Sequence, residues 1–228
     1  MIKYFLLFVM LFASITNAQT FEIERVTGNV KFISGSDNQW KDLTQGMKIT
    51  SNTIIATEVN STVKLKVNDV LFTLKESSAI AVSNIKKMNV DELLLALAME
   101  NIINAPRKRN SDKSNNTAVY GTKITDPESI IEPSIEFGTK RLNGARQLAE
   151  NGMKESAIIT AMEVYRKYPE TKTNAANRIY FGDLLFEKKL YEEAYDQYNE
   201  IESLSLNNVQ QQHVSDKLEE ISKKLLNR

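Results

Sequence analysis

The sequence predicts an α+β protein of two domains. The N-terminal one is a small all-β sandwich or barrel carrying one inserted helix. The C-terminal one is an α-solenoid built from helical hairpins. Three observations lead there. From Phe21 to about Ile85 the apolar residues recur with a period of two. From Ile135 to the end they recur at spacings of three and four, the mark of one helical face. Within that helical part, Ala157 and Ala194 head equivalent stretches 37 residues apart.

The totals set bounds. A chain of 228 residues allows one or two domains. It has no cysteine, which excludes disulfides, thiolate catalysis, Cys-based zinc sites and an N-terminal lipid-modified cysteine. A single histidine excludes a multi-histidine metal site. Met1 to Ala18 is predicted to be an export signal: Lys3 supplies the positive start, Tyr4 to Ala13 the apolar run, and Thr16-Asn17-Ala18 small side chains for cleavage before Gln19. The competing reading is a retained membrane anchor, for which the run is short. Removing residues 1–18 loses Lys3 and no acid, so 29 basic residues become 28 against 29 acidic ones, net about −1. That balance argues against nucleic acid or an anionic membrane as the main partner. No later segment reaches the roughly 18 apolar residues of a membrane span, so no transmembrane segment is expected after signal cleavage.

The β region, expected over 19–125, is built from short strands. Phe21 and Ile23 alternate with Glu22 and Glu24, and Val30 and Phe32 follow a Thr27-Gly28 turn. Ile54, Ile55 and Val59 suggest another strand. Val63, Leu65 and Val67 alternate with Thr62, Lys64 and Lys66, and Val70, Phe72 and Leu74 return after Asn68-Asp69, a hairpin pattern. Asp91 to Ile103 then predicts a helix whose apolar residues wrap most of the way round, so it is expected to be buried on more than one side. Packing across the β region is one reading of it and self-association the other. Residues 104–116 are polar and locally basic through Arg107, Lys108, Arg109 and Lys113, which predicts a solvated loop, with a patch for an anionic envelope polymer as the sharper reading. Residues 126–134, with two prolines nearby at Pro127 and Pro133, are expected to link the domains.

Within this region Gly28-Asn29-Val30, then Trp40-x-x-Leu43 and Gly46, Ile49, Ile54, Thr57, Ser61, Val63-x-Leu65, Leu74, Ser78 and Ile80 occur in an order that resembles the FecR-type β domain. Thr117 to Thr122 is similar to that family's later strand ending in Gly-Thr. The resemblance covers about 100 residues and implies the bacterial periplasm, where founding members pass a signal from an outer-membrane receptor to an anti-sigma factor. This chain has neither a cytosolic anti-sigma segment nor an inner-membrane span in its pattern, which argues against direct sigma-factor regulation; a periplasmic signal-transduction component is an alternative to simple binding.

In the helical part, 135–228, helices are expected at Phe137–Ala149, Met153–Tyr168, in the pair within Thr173–Ile201, and at Val209–Leu226. Asn151-Gly152 and Pro169 provide the breaks. In the pair, the first helix is expected to bury Ala176, Ile179, Tyr180, Leu184 and Leu185, and the second Tyr191, Ala194, Tyr198 and Ile201, with Gly182 and Ala194 at the close crossing. Ala145 corresponds to Gly182, Leu148 to Leu185, and Ala157 to Ala194. This pattern resembles the tetratricopeptide repeat, whose nominal period is about 34 residues, lengthened here in the Pro169–Thr173 turn. The first repeat departs from the pattern at Gly144 and Ala161, and Val209–Leu226 is expected to be the solvating cap.

No nucleophile elbow, P-loop or dinucleotide fingerprint is present. Asp216 lies three residues from His213, within reach on a helix face, with no nucleophile nearby in sequence. The expectation is therefore a protein that is not an enzyme and uses no cofactor or metal. What remains is binding. In tetratricopeptide arrays the first helix of each pair lines a groove, and the resemblance transfers that role to Leu142, Arg146 and Glu150, and to Ile179, Asp183, Phe186 and Glu187. Phe186 is the singular residue, apolar and off the main stripe, although packing on the last helix is an equal reading. The expected function is an exported scaffold or adaptor that holds other cell-envelope proteins. The alternatives are a structural protein binding peptidoglycan or another glycan, and a lytic or hydrolytic enzyme.

Overall fold

The computed structural model describes residues 20–35, 37, 39–67, 70–104, 131 and 134–227. The export segment, the polar loop from 105 onward, Thr117–Thr122 and most of the 126–134 linker lie outside the described residues. None of the described helices is long and apolar enough to cross a membrane.

Among the described residues eight strands come first: β1 (Thr20–Thr27), β2 (Val30–Ser34), β3 (Lys41–Asp42), β4 (Lys48–Thr50), β5 (Thr53–Thr57), β6 (Thr62–Val67), β7 (Val70–Leu74) and β8 (Ser78–Ala81). They form two antiparallel four-stranded sheets, ordered β4-β1-β6-β7 and β3-β2-β5-β8. The period of two does what it must in a sheet with one wet face. Phe21, Ile23, Val63, Leu65, Phe72 and Leu74 are buried while Glu22, Lys64 and Lys66 face out. The β6–β7 hairpin pairs Val63 with Leu74 through to Val67 with Val70, a register that leaves two residues for the turn. Gly28 turns β1 into β2 at φ +74°, where a Cβ would strike the Ser61 hydroxyl. That hydroxyl instead accepts the Asn29 N–H at 2.8 Å. Val59 is not part of a strand and is 67% exposed; β5 ends at Thr57, and all five of its residues are buried.

Among the described residues six α-helices follow: α1 (Val90–Asn104), α2 (Ile135–Glu150), α3 (Lys154–Lys167), α4 (Ala175–Glu187), α5 (Tyr191–Ile201) and α6 (Asn208–Leu226). Helix α1 starts at Asn89, whose side chain accepts the Glu92 N–H while Glu92 accepts the Asn89 N–H. Asn207 and Gln210 form the same reciprocal cap on α6, and Ser134 and Asn174 cap α2 and α4. Helix α1 is not enclosed as its composition suggests. Leu93 and Leu97 are buried, α1 packs on α3, and Arg166 clasps Glu100 at 2.6 Å, yet Leu95, Met99, Ile102 and Ile103 are exposed among the described residues. One flank of a short helix is all that a single neighbouring helix can cover.

The hairpins α2/α3 and α4/α5 pack in sequence, and α6 closes on α5 and α4. Ala157, Ile158, Ala161, Val164, Tyr165 and Tyr168 on α3, and Ala194, Tyr198 and Ile201 on α5, are buried as their spacing requires. Helix α4 is rotated from the expected phase. Ala176 is exposed and Ile179 and Tyr180 are half-buried, whereas Phe181 is fully buried. Apolar residues lie almost all round α4, so periodicity leaves its phase open. The neighbours set it: Phe181 meets Tyr165 edge-on at 6.4 Å, and buried Arg178 reaches Gln197 and Glu200 on α5. Gly182 lies beneath the Tyr198 ring, where a Cβ would stand 3.2 Å from it.

The regions expected as separate domains share one contiguous hydrophobic cluster. Helix α2 lies along β8, the edge of its sheet. Gln147 accepts the Lys75 N–H at 2.7 Å and donates to the Ser78 hydroxyl at 2.8 Å, and Asn143 donates to the Ser77 carbonyl at 2.8 Å. Gly144 allows this approach: a Cβ there would sit 2.1 Å from the Ala79 carbonyl oxygen. Trp40, Phe137 and Tyr168 add an edge-to-face aromatic chain across the same junction. Because backbone opposes backbone at Gly144, Gly144→Ala is expected to lower stability by about 1–3 kcal/mol, read as a fall in the urea midpoint. An unchanged midpoint would show that α2 does not depend on this close approach.

Candidate functional site

The first helices of the two hairpins, α2 and α4, together with α6, present a connected surface of charged and aromatic side chains. It begins at Glu150, which pairs with Lys75 of the β7–β8 turn at 2.5 Å. Arg146 lies over the Tyr180 ring, 4.2 Å from its centroid, and donates to the Asn177 side chain at 3.0 Å and to the Ala176 carbonyl at 3.3 Å. Glu187 pairs with Lys154 at 2.5 Å. Asp183 accepts the Tyr198 hydroxyl at 2.5 Å and meets His213 Nε2 at 2.8 Å. Phe186 packs against Tyr191 and beneath the Lys217 ammonium, 3.9 Å from the ring centroid.

Of the seven residues expected to line a groove, six therefore contribute to this surface: Arg146, Glu150, Ile179, Asp183, Phe186 and Glu187. Leu142 does not. It is fully buried in the shared core, because α2 turns that side toward the body of the protein. Phe186 packs on α6 through Lys217, the second of the two readings, and is half-buried. His213 does not pair with Asp216. Asp216 takes Gln212 at 2.7 Å, and His213 crosses to α4. An i,i+3 pairing on one helix lost to a partner on the next because the α4–α6 packing points the imidazole at Asp183.

Tyr180, His213 and Lys217 were not among the expected residues. Tyr180 reads as core from its spacing, and α6 reads as a cap. One signal was present: a 37-residue step from Tyr180 lands on Lys217, so α6 continues the face as a third first helix.

The electrostatics are those of a tie between helices. Burial, reinforced by the hydrogen bond to Asp183, raises the Tyr198 hydroxyl far above its ordinary range, so it stays a protonated donor. Burial likewise raises Tyr180, against the opposing pull of Arg146. Among the described residues no three histidine or carboxylate side chains converge as a metal-binding group. No protein-family model, curated protein or solved structure matches this chain. Its function is therefore argued from this surface.

Two outcomes follow from the tie. Asp183→Ala leaves the buried Tyr198 hydroxyl unpaired and frees His213. It should cost about 1–3 kcal/mol, seen in urea unfolding, with Tyr198→Phe close to additive silence in the Asp183→Ala background. Alkaline pH should also weaken the fold. Burial raises both Tyr165 and Tyr198 above the unfolded value near 10. Their contribution is complete below that pH. Above it the unfolded chain releases its protons first, so stability falls by about 1.4 kcal/mol per pH unit for each tyrosine. Urea titrations at rising pH, with tyrosinate absorbance, check the slope; Tyr198→Phe should roughly halve it.

Proposed function

We propose that this protein is an exported, non-catalytic adaptor that holds another cell-envelope protein on the face formed by α2, α4 and α6. The observation that carries the reading is the alignment of those three helices into one surface, with Arg146 over Tyr180 and Lys217 over Phe186 as cation–ring pairs. Arginine and aromatic side chains that are already positioned lose little freedom on binding, and such residues dominate interface energetics. The mixed charge of the rim, with Glu150, Asp183 and Glu187 beside Arg146, Lys154 and Lys217, suits a protein segment better than a polyanion.

The stacked hairpins and their 37-residue period support a tetratricopeptide-like reading of the helices, and a groove across first helices takes an extended segment or a helix of a partner. The resemblance of the β region to FecR-type domains and the Met1–Ala18 pattern support a periplasmic setting. No step of this reading calls for a cofactor or metal.

Crosslinking in intact cells followed by affinity capture tests it. A defined protein partner should be recovered, and its yield should fall at least tenfold in the Phe186→Ala/Glu187→Lys variant while far-ultraviolet circular dichroism stays unchanged. Unchanged capture removes this face from the reading. Co-sedimentation with purified cell wall and no protein partner would instead favour a structural, glycan-binding role.

A further inference from the structure

Helices α1, α3 and α5 border a cleft of about 450 Å³ that none of the residues of the α2–α4–α6 face enters. Leu185, the α4 residue that reaches it, lies roughly 200° round the helix from Asp183. Its floor is apolar: Leu97 and Leu185 are buried and Met162 is partly so. Tyr165 belongs to its wall. That side chain is 3% exposed, and its hydroxyl has no hydrogen-bond partner among the described residues.

The rim is acidic. Helix α5 turns Glu193, Asp196 and Glu200 to one side at spacings of three and four. Glu200 is taken by Arg178 at 2.7 Å, and across the cleft Glu100 is taken by Arg166. Glu193 and Asp196 make no ion pair among the described residues. With Glu100, four carboxylates border the cleft against the two cations of Arg166 and Lys172.

We propose that this cleft binds a short extended peptide segment of another protein, in which an apolar side chain is flanked by lysine or arginine. The apolar side chain rests on Leu97, Met162 and Leu185. The flanking cation meets Glu193 and Asp196, which make no ion pair among the described residues. A cleft of this size suits a ligand of a few residues. The site is separate from the α2–α4–α6 face, and neither reading depends on the other.

The test uses the purified full chain and a fluorescein-labelled hexapeptide of alternating leucine and lysine, with leucine–glutamate and serine–lysine hexapeptides as controls. In fluorescence anisotropy the leucine–lysine probe should bind at least tenfold more tightly than either control. Glu193→Lys with Asp196→Lys, both at the rim of α5, should weaken it at least tenfold with no shift in the unfolding midpoint. Equal binding of the leucine–glutamate probe, or leucine–lysine binding unaltered by both substitutions, overturns the proposal. Concentration-dependent dimerisation that disappears in the charge-reversed protein would assign the cleft to a second copy of the chain and overturn it as well.

Discussion

Everything in this structure hangs on the seating of α2 against the edge of a β-sheet. An edge strand exposes unpaired backbone groups, and β8 is such an edge. Asn143 and Gln147 hold the turn that leads into it, through the Ser77 carbonyl, the Lys75 N–H and the Ser78 hydroxyl, while Gly144 lets the helix lie against the Ala79 carbonyl of the edge. One helix thereby shields an edge and joins two hydrophobic regions into one cluster. The Lys140–Glu58 pair at 2.9 Å and the Ser156 hydroxyl on the Lys86 carbonyl at 2.6 Å extend the junction on either side. The helices downstream inherit their position from it.

From α2 outward, polar contacts alternate with apolar packing. Arg146 ties α2 to α4, Arg178 ties α4 to α5, and Asp183 draws Tyr198 of α5 and His213 of α6 to a single carboxylate. These groups are mostly half-buried, where a hydrogen-bonded pair is satisfied without the full desolvation penalty of a deep interior. The same ties hold the aromatic rings of the α2–α4–α6 face in place. A surface whose side chains are fixed before a partner arrives is prepared for recognition, and here that preparation is a by-product of how the helices are held together.

Two surfaces of unlike character result. The α2–α4–α6 face balances its charges internally and displays rings capped by cations. The α1–α3–α5 cleft keeps an apolar floor beside two carboxylates that make no ion pair among the described residues. The first suits a broad contact with a protein segment, and the second a small basic–apolar element. Both are compatible with a chain that works by holding other molecules.

Much of the architecture was legible in the residues. Alternation marked β1 and β6, whose sheet has a core side and a wet side, but not β5, whose residues are all buried. Spacings of three and four marked α3, α5 and α6, whose apolar stripes are narrow. Pro169 and Gly152 marked the breaks. Where apolar residues ran nearly all round a helix, the pattern lost its phase. Helix α4 turned Phe181 inward rather than Tyr180, and α1 left Leu95, Met99 and Ile102 outside. At the face, the resemblance to tetratricopeptide repeats pointed to Arg146, Asp183 and Phe186 but also to Leu142, which is buried, and passed over His213 and Lys217. Local sequence determines which elements form, because dihedral preference and hydrophobic period act within a few residues. Which side of each element is covered, which carboxylate a histidine reaches, and why a glycine stands at 144 were decided by tertiary structure, because each depends on an atom supplied by a distant part of the chain.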